Sequence, residues 1–203
     1  MFEKKKMPPF NAKMPYLSSH NAVVEAIHFK TKAMSTKHLK HIFAQRNFDS
    51  KMLIEPNPSA MEKSQLDLPP LHYAARHGLY SILRLMIAQL KDDDDIDMPF
   101  DNRSPLMWAL VSRCAHCVET LLYADADPNF NIDPDTPTPL RFAVEACSNQ
   151  NIIQALMEFD AEPLLETKLN SPMQFVQSAL SPCTENREHW EWVRDLLEEH
   201  CEI

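Results

Sequence analysis

The sequence predicts an all-α chain, a solenoid of stacked antiparallel helix pairs rather than one closed core. Three observations carry that prediction. Four segments begin alike: Pro70-Leu71-His72-Tyr73-Ala74-Ala75, Pro105-Leu106-Met107-Trp108-Ala109-Leu110, Pro139-Leu140-Arg141-Phe142-Ala143-Val144 and Pro172-Met173-Gln174-Phe175-Val176-Gln177. Their prolines lie 35, 34 and 33 residues apart, and self-similarity at such a period marks stacked repeats. Each start leads to a second apolar cluster, Leu83/Met86/Ile87, Val118/Leu121/Leu122, Ile153/Leu156/Met157 and Val193/Leu196/Leu197. Within a cluster the spacing is i, i+3, i+4, one stripe of a helix. Finally, Ser104, Thr138 and Ser171 precede three of the prolines. A hydroxyl N-cap followed by proline at the first helical position starts a helix, because that proline's missing N–H has no intrahelical use there.

Composition excludes several function classes. The chain has 203 residues, 44% apolar and 24% charged, an ordinary globular balance. It contains one glycine, Gly78, beside 16 prolines. A dinucleotide fingerprint or a P-loop needs several glycines where backbone approaches phosphate or φ is positive, so neither fits. Five cysteines are too few for a disulfide scaffold and odd in number, which points to a reducing compartment, cytoplasmic or nuclear. Met1–Met14 carries Lys4, Lys5, Lys6 and Lys13 without an apolar segment, unlike a secretory signal. No apolar run approaches the 18 residues of a transmembrane helix.

The net charge of −9 hides a split. Residues 1–60 carry ten Lys/Arg against four Asp/Glu, a net of +6, and residues 61–203 ten against twenty-five, a net of −15. Such asymmetry suits two surfaces with different partners, or attraction between the halves.

With the repeats laid out, the chain resembles the ankyrin repeat family. Pro70-Leu71-His72-Tyr73-Ala74-Ala75-Arg76-His77-Gly78 is similar to its T-P-L-H-x-A-A-x-x-G start, and Leu121-Leu122-Tyr123-Ala124-Asp125-Ala126-Asp127-Pro128-Asn129 to its L-L-x-x-G-A-D-P-N helix end. Phe159-Asp160-Ala161-Glu162-Pro163 repeats that ending. The resemblance covers about residues 66–203, as units of about 66–100, 101–134, 135–167 and 168–203. Departures are Asp125 and Asp160 where the family has a left-handed glycine, Pro69 in place of a capping hydroxyl, and about eight extra residues around Ser181–Glu188. Upstream, residues 16–48 read as a divergent helix pair, with Asn21–Ile27 as its first helix and Leu39, Ile42 and Phe43 at second-helix spacing. Lys51–Ser64 reads as a linker or long finger, completing a segment 16–65, and residues 1–15 as a basic flexible tail.

The resemblance implies a non-enzymatic module that binds a partner protein through the fingers between units and the concave face of the first helices. Carried over by position, solvent-facing first-helix sites fall on Arg76/His77, Val111/Ser112, Glu145/Ala146 and Ser178/Ala179. Tyr73, Trp108, Phe142 and Phe175 share one column, either an aromatic ladder for a ligand or, as the family implies, framework; the tips of Tyr and Trp could still reach the surface. Asp92, Asp93, Asp94, Asp95 and Asp97 precede the second unit, and Asp125, Asp127, Asp133 and Asp135 the third. They line an acidic edge suited to a basic partner segment, or serve solubility alone. His72 matches the family's framework histidine, which bridges neighbouring repeats.

Other groups carry less. Cys114-Ala115-His116-Cys117 lacks the second pair a zinc site needs, and Cys183, His189, His200 and Cys201 form no motif, so no metal is expected. No catalytic constellation stands out, and no cofactor or small-molecule substrate is expected. Lys30, Lys32, Lys37, Lys40 and Arg46 with the terminal lysines, interleaved with His28, His38 and His41, offer an alternative reading: a two-partner adaptor or effector whose basic N-terminal part engages a second protein, nucleic acid or membrane.

Overall fold

A helix of seven residues is only marginal alone in water, so these short helices owe their stability to what they bury. The computed structural model describes residues 32–44, 48–55, 68–146, 149–165, 170–180 and 186–201. Among them nine α-helices form: α1 Lys32–Phe43, α2 Pro70–Arg76, α3 Tyr80–Ile87, α4 Pro105–Val111, α5 Ala115–Leu122, α6 Pro139–Glu145, α7 Gln150–Glu158, α8 Pro172–Ala179 and α9 Arg187–Glu199. A single 3-10 turn, Ser50–Leu53, joins them, and the described residues contain no strand beyond one isolated bridge.

The helices stack in two rows. First helices α2, α4, α6 and α8 touch in sequence, and second helices α1, α3, α5, α7 and α9 form the other row, with each first helix packed on its own second helix. Proline opens every first helix. Ser104, Thr138 and Ser171 each accept a hydrogen bond from the N–H three residues on, and at Ser171 the Gln174 side chain returns the bond, completing a capping box. Pro69 offers α2 no such cap.

The predicted apolar stripes make the core. Leu83, Val118, Leu121, Ile153, Leu156, Val193 and Leu197 are buried on the second row, beneath Leu71, Leu106, Leu110, Leu140 and Val176 of the first. Ile87 and Leu196 are half-buried at its rim. Upstream, Leu39 and Ile42 are buried and α1 packs on α3, the place of a second helix. The first helix expected over Asn21–Ile27 lies outside the described residues, as do residues 1–15. Part of the segment read as a linker is packed: Leu53 and Ile54 are buried, and the 3-10 turn touches α2. Their apolar side chains cover the open edge of the first unit.

With one glycine, the left-handed positions fall to other residues. Gly78 has φ 64°, and Arg113, Asp125, Asp160 and Asn186 have φ of 53°, 62°, 61° and 66°. Asp125 and Asp160 thus keep the backbone shape expected of glycine, Asp being among the few side chains that visit it. No helix among the described residues is long and apolar enough to cross a membrane.

Candidate protein-binding face

The units are joined edge to edge by polar side chains. His72, fully buried, donates from Nε2 to the Met98 carbonyl of the next finger at 2.9 Å. Burial holds its ring well below the usual histidine range, at about 4, although the Met98 bond pulls the other way. The Asp127 N–H donates to Asp97 Oδ2 at 2.9 Å. Asn129 donates from Nδ2 to the Asp160 carbonyl and accepts the Glu162 N–H, while Arg113 Nη2 donates to the Ala146 carbonyl. These bonds hold one unit's finger to the next and fix the surface that the fingers and first helices present.

On the first-helix face, His77, Val111 and Glu145 are exposed and Arg76, Ser112 and Phe142 half-buried. The His77 ring meets Tyr73 at a tilt of 37°, with centroids 4.2 Å apart. Glu145 is held by Arg141 at 2.8 Å. In the aromatic column, Tyr73 and Trp108 are buried, and Phe142 and Phe175 half-buried against the core. Trp108 is 4% exposed, so its ring is framework and offers a partner at most its edge. Guanidiniums cover this column: Arg76 and Arg103 lie over Trp108, at 4.8 and 5.1 Å from its centroid, and Arg141 over Phe175 at 3.8 Å.

The acidic edge differs from its expectation at two points. Asp92, Asp93 and Asp95 are exposed, but Asp94 is half-buried, its Oδ2 accepting the Lys91 N–H at 2.8 Å. Burial pushes the Asp94 carboxyl up, but the Ser50 hydroxyl, the Lys91 N–H and the charges of Lys91 and Lys51 together hold it below the usual carboxylate range. Asp97, expected on the edge, is buried beneath it. Burial pushes its carboxyl up to about 6; the Asp127 N–H opposes that, and the charges of Asp127 and Asp95 add to it. The run also precedes the finger tip, which is the tight turn Asp101-Asn102 (φ 53° and 58°) closed by Phe100 and Arg103. In the next finger Asp135 is exposed and Asp133, half-buried, accepts the Asp135 N–H at 3.0 Å.

Among the cysteines, Cys117 is buried, its thiol pushed far up chiefly by burial with Cys114 beside it. The Cys114 thiol reaches the Gly78 carbonyl at 3.9 Å. Among the described residues no group of three or more metal-ligating side chains comes together. Sequence reasoning passed over Arg103 and Arg141, whose meaning lies in rings of other helices. It also missed a cleft of about 180 Å³ between α5 and α7, lined by Glu119, Tyr123, Gln154, Glu158 and Phe159 among others. Tyr123 there is 77% exposed and meets Phe159 edge-on.

Comparison with known proteins agrees with this frame. Residues 40–132 match the family model described as ankyrin repeats, three copies. A rabbit (Oryctolagus cuniculus) protein named Ankyrin repeat and SOCS box protein 5 is 39% identical over 103 aligned residues, covering 49% of this chain. The match spans 30% of that protein's own length. In-phase helix pairs, a buried finger-bridging histidine and these matches lead to one conclusion: the chain carries ankyrin repeats, matched by the family model over residues 40–132.

Proposed function

We propose that this protein is a non-enzymatic interaction module whose first-helix face and acidic finger edge bind a segment of a partner protein. Ankyrin repeats are generally protein-interaction modules, and the family is generally non-enzymatic. The observation that carries the reading is the pinned array itself. Side-chain bonds from Asp97, Arg113 and Asn129 each cross from one unit to the next, and His72 ties the first unit's helix to the finger that follows it, so the binding surface is ordered before any partner arrives. Preorganisation lowers the ordering cost of association. The exposed carboxylates of Asp92, Asp93, Asp95 and Asp135 supply a field that draws a basic stretch of the partner. The free thiols of Cys114, Cys117 and Cys201 suit a cytoplasmic or nuclear setting.

The test begins with a partner captured from the native cell and purified. Val111→Glu with Glu145→Arg on the first-helix face should abolish binding, whereas Tyr123→Ser on the opposite row should leave it intact. Changing Asp92, Asp93 and Asp95 to Asn should slow association at low salt and leave dissociation nearly unchanged, because exposed charges act within a Debye length of about 8 Å at physiological salt. A partner lost through Tyr123→Ser and kept by the first-helix variant would move the site to the other row. Unchanged association at low salt would reduce the acidic edge to a solubility device.

A further inference from the structure

Arg76 ends α2 and Arg103 closes the finger ahead of α4, yet both guanidiniums lie over the one indole of Trp108. The two centroid distances, laid end to end, put their carbons within about 10 Å of each other. Among the described residues neither side chain has an ion pair or a side-chain hydrogen bond, in a chain where acids outnumber bases 29 to 20. Arg113, Arg141, Arg187 and Arg194 all have such a partner, and Arg84, which also has none among the described residues, is exposed on α3 away from any described ring. A third donor sits in the same cluster: Trp108 Nε1 is buried and has no hydrogen-bond partner, a position an indole N–H rarely keeps.

We propose that Arg76, Arg103 and Trp108 form a receptor for an Asp or Glu side chain in the partner segment. This rests on the reading that the first-helix face binds a peptide, and it names what that peptide brings. Stacking on the indole orients a guanidinium's flat face and leaves its N–H edge to donate. Three donors without an acceptor call for a group that only accepts, and a carboxylate offers about four lone-pair positions in a plane matched to a guanidinium fork. Val111, one turn beyond Trp108 and 40% exposed, gives an apolar shoulder for a neighbouring aliphatic residue. The acidic edge and this cationic cluster thus select different parts of one segment: the edge speeds its approach, the cluster fixes its register.

The experiment selects random 16-residue peptides, displayed on phage, against the full chain. Enriched peptides should share an Asp or Glu beside an aliphatic residue. With a synthetic peptide of that consensus, Arg76→Gln and Arg103→Gln should each weaken binding at least tenfold. Replacing the peptide's acid by its amide should cost the wild type as much and the variants little more. Trp108→Phe, which keeps an aromatic ring, should weaken binding severalfold, and melting curves of all three variants check that the fold survives. Arg76→Lys keeps the charge and loses the fork, so it should fall between wild type and Arg76→Gln. Enriched peptides that bind without an acid, or that ignore both arginine variants, overturn the proposal and leave the peptide-binding reading standing. A phosphoserine version binding tenfold tighter than the acid overturns the assignment to a carboxylate. A selection that enriches nothing overturns the peptide-binding reading, and the proposal with it.

Discussion

The second helix pair and the last share one frame and differ in how they are held. In α4 every residue from Pro105 to Leu110 is buried, with α2 on one side and α6 on the other. Among the described residues the last pair has a neighbour on one side only. Its second helix, α9, runs 13 residues but buries only Trp190, Val193 and Leu197. Its exposed surface carries the Arg187–Glu191 and Arg194–Glu198 pairs. The caps differ too: Ser104 bonds the first turn of α4, whereas Asn186 before α9 sits left-handed with no cap bond. The lesson is one of neighbours. Where a unit is flanked twice, apolar contact does the work; where the described residues flank it once, charged side chains take more of its surface.

The largest expected effect tests that contrast directly. Trp108→Ala should cost about 3–5 kcal/mol, since it empties a buried aromatic site in the middle of the stack. Phe175→Ala, half-buried in the last pair, should cost roughly 1–2 kcal/mol. Urea melts of both variants decide; equal losses would dissolve the distinction between middle and end.

The next effect is a matter of pH, and it belongs to the joint between the first two units. His72 sits near 4 in the fold against 6.5 unfolded, so its contribution is full above pH 6.5 and is lost as pH falls toward 4. Asp97 has the opposite sign. Raised from 3.8 to about 6, it favours the fold most below pH 3.8, and that contribution is lost as pH rises through 6. The two offset each other across this window. In Asp97→Asn the amide oxygen can still accept the Asp127 N–H, but the compensation is gone. Between pH 6.5 and 4 the variant should lose about 3 kcal/mol more than the wild type, since each tenfold change in proton affinity is worth about 1.4 kcal/mol. Parallel pH profiles for the two proteins would remove Asp97 from the account.

Smaller effects follow from the backbone and the surface. Asp125→Gly and Asp160→Gly should each add about 0.5–1 kcal/mol, by relieving a left-handed residue that carries a side chain. A lower melting temperature in either would show that the aspartate does more than occupy its φ. Arg187→Ala, in the exposed pair on α9, should change stability by less than about 0.5 kcal/mol, and less still in high salt. A larger loss would mean that the end of the stack depends on its charges after all.

What can be read in the sequence is local. Ser104, Thr138, Ser171 and their prolines announce helix starts through chemistry confined to four residues. The stripes at Leu121 and Leu156 announce a buried face through spacing alone. What escapes reading depends on residues 30 or so positions apart. Asp97 belongs to a run of acids and is buried because a backbone N–H of the following unit, at Asp127, needs it. Arg103 reads as a polar finger residue, and only the folded chain lays it over Trp108. Lys51–Ser64 reads as linker because Leu53 and Ile54, both buried, fit no repeat period.

The scarcity of glycine leaves a mark on the electric field of the molecule. Asp101, Asp125 and Asp160 occupy backbone positions that glycine could fill without charge. Asp95, Asp127 and Asp133 each accept the N–H two residues on, the bond that shapes a turn. Six negative charges are therefore by-products of chain geometry, placed at unit joints because that is where the backbone bends. Asparagine could shape the same bends uncharged. Turn geometry and surface potential are thus separable by single-atom changes, and a partner's taste for charge can be altered here without redrawing the backbone.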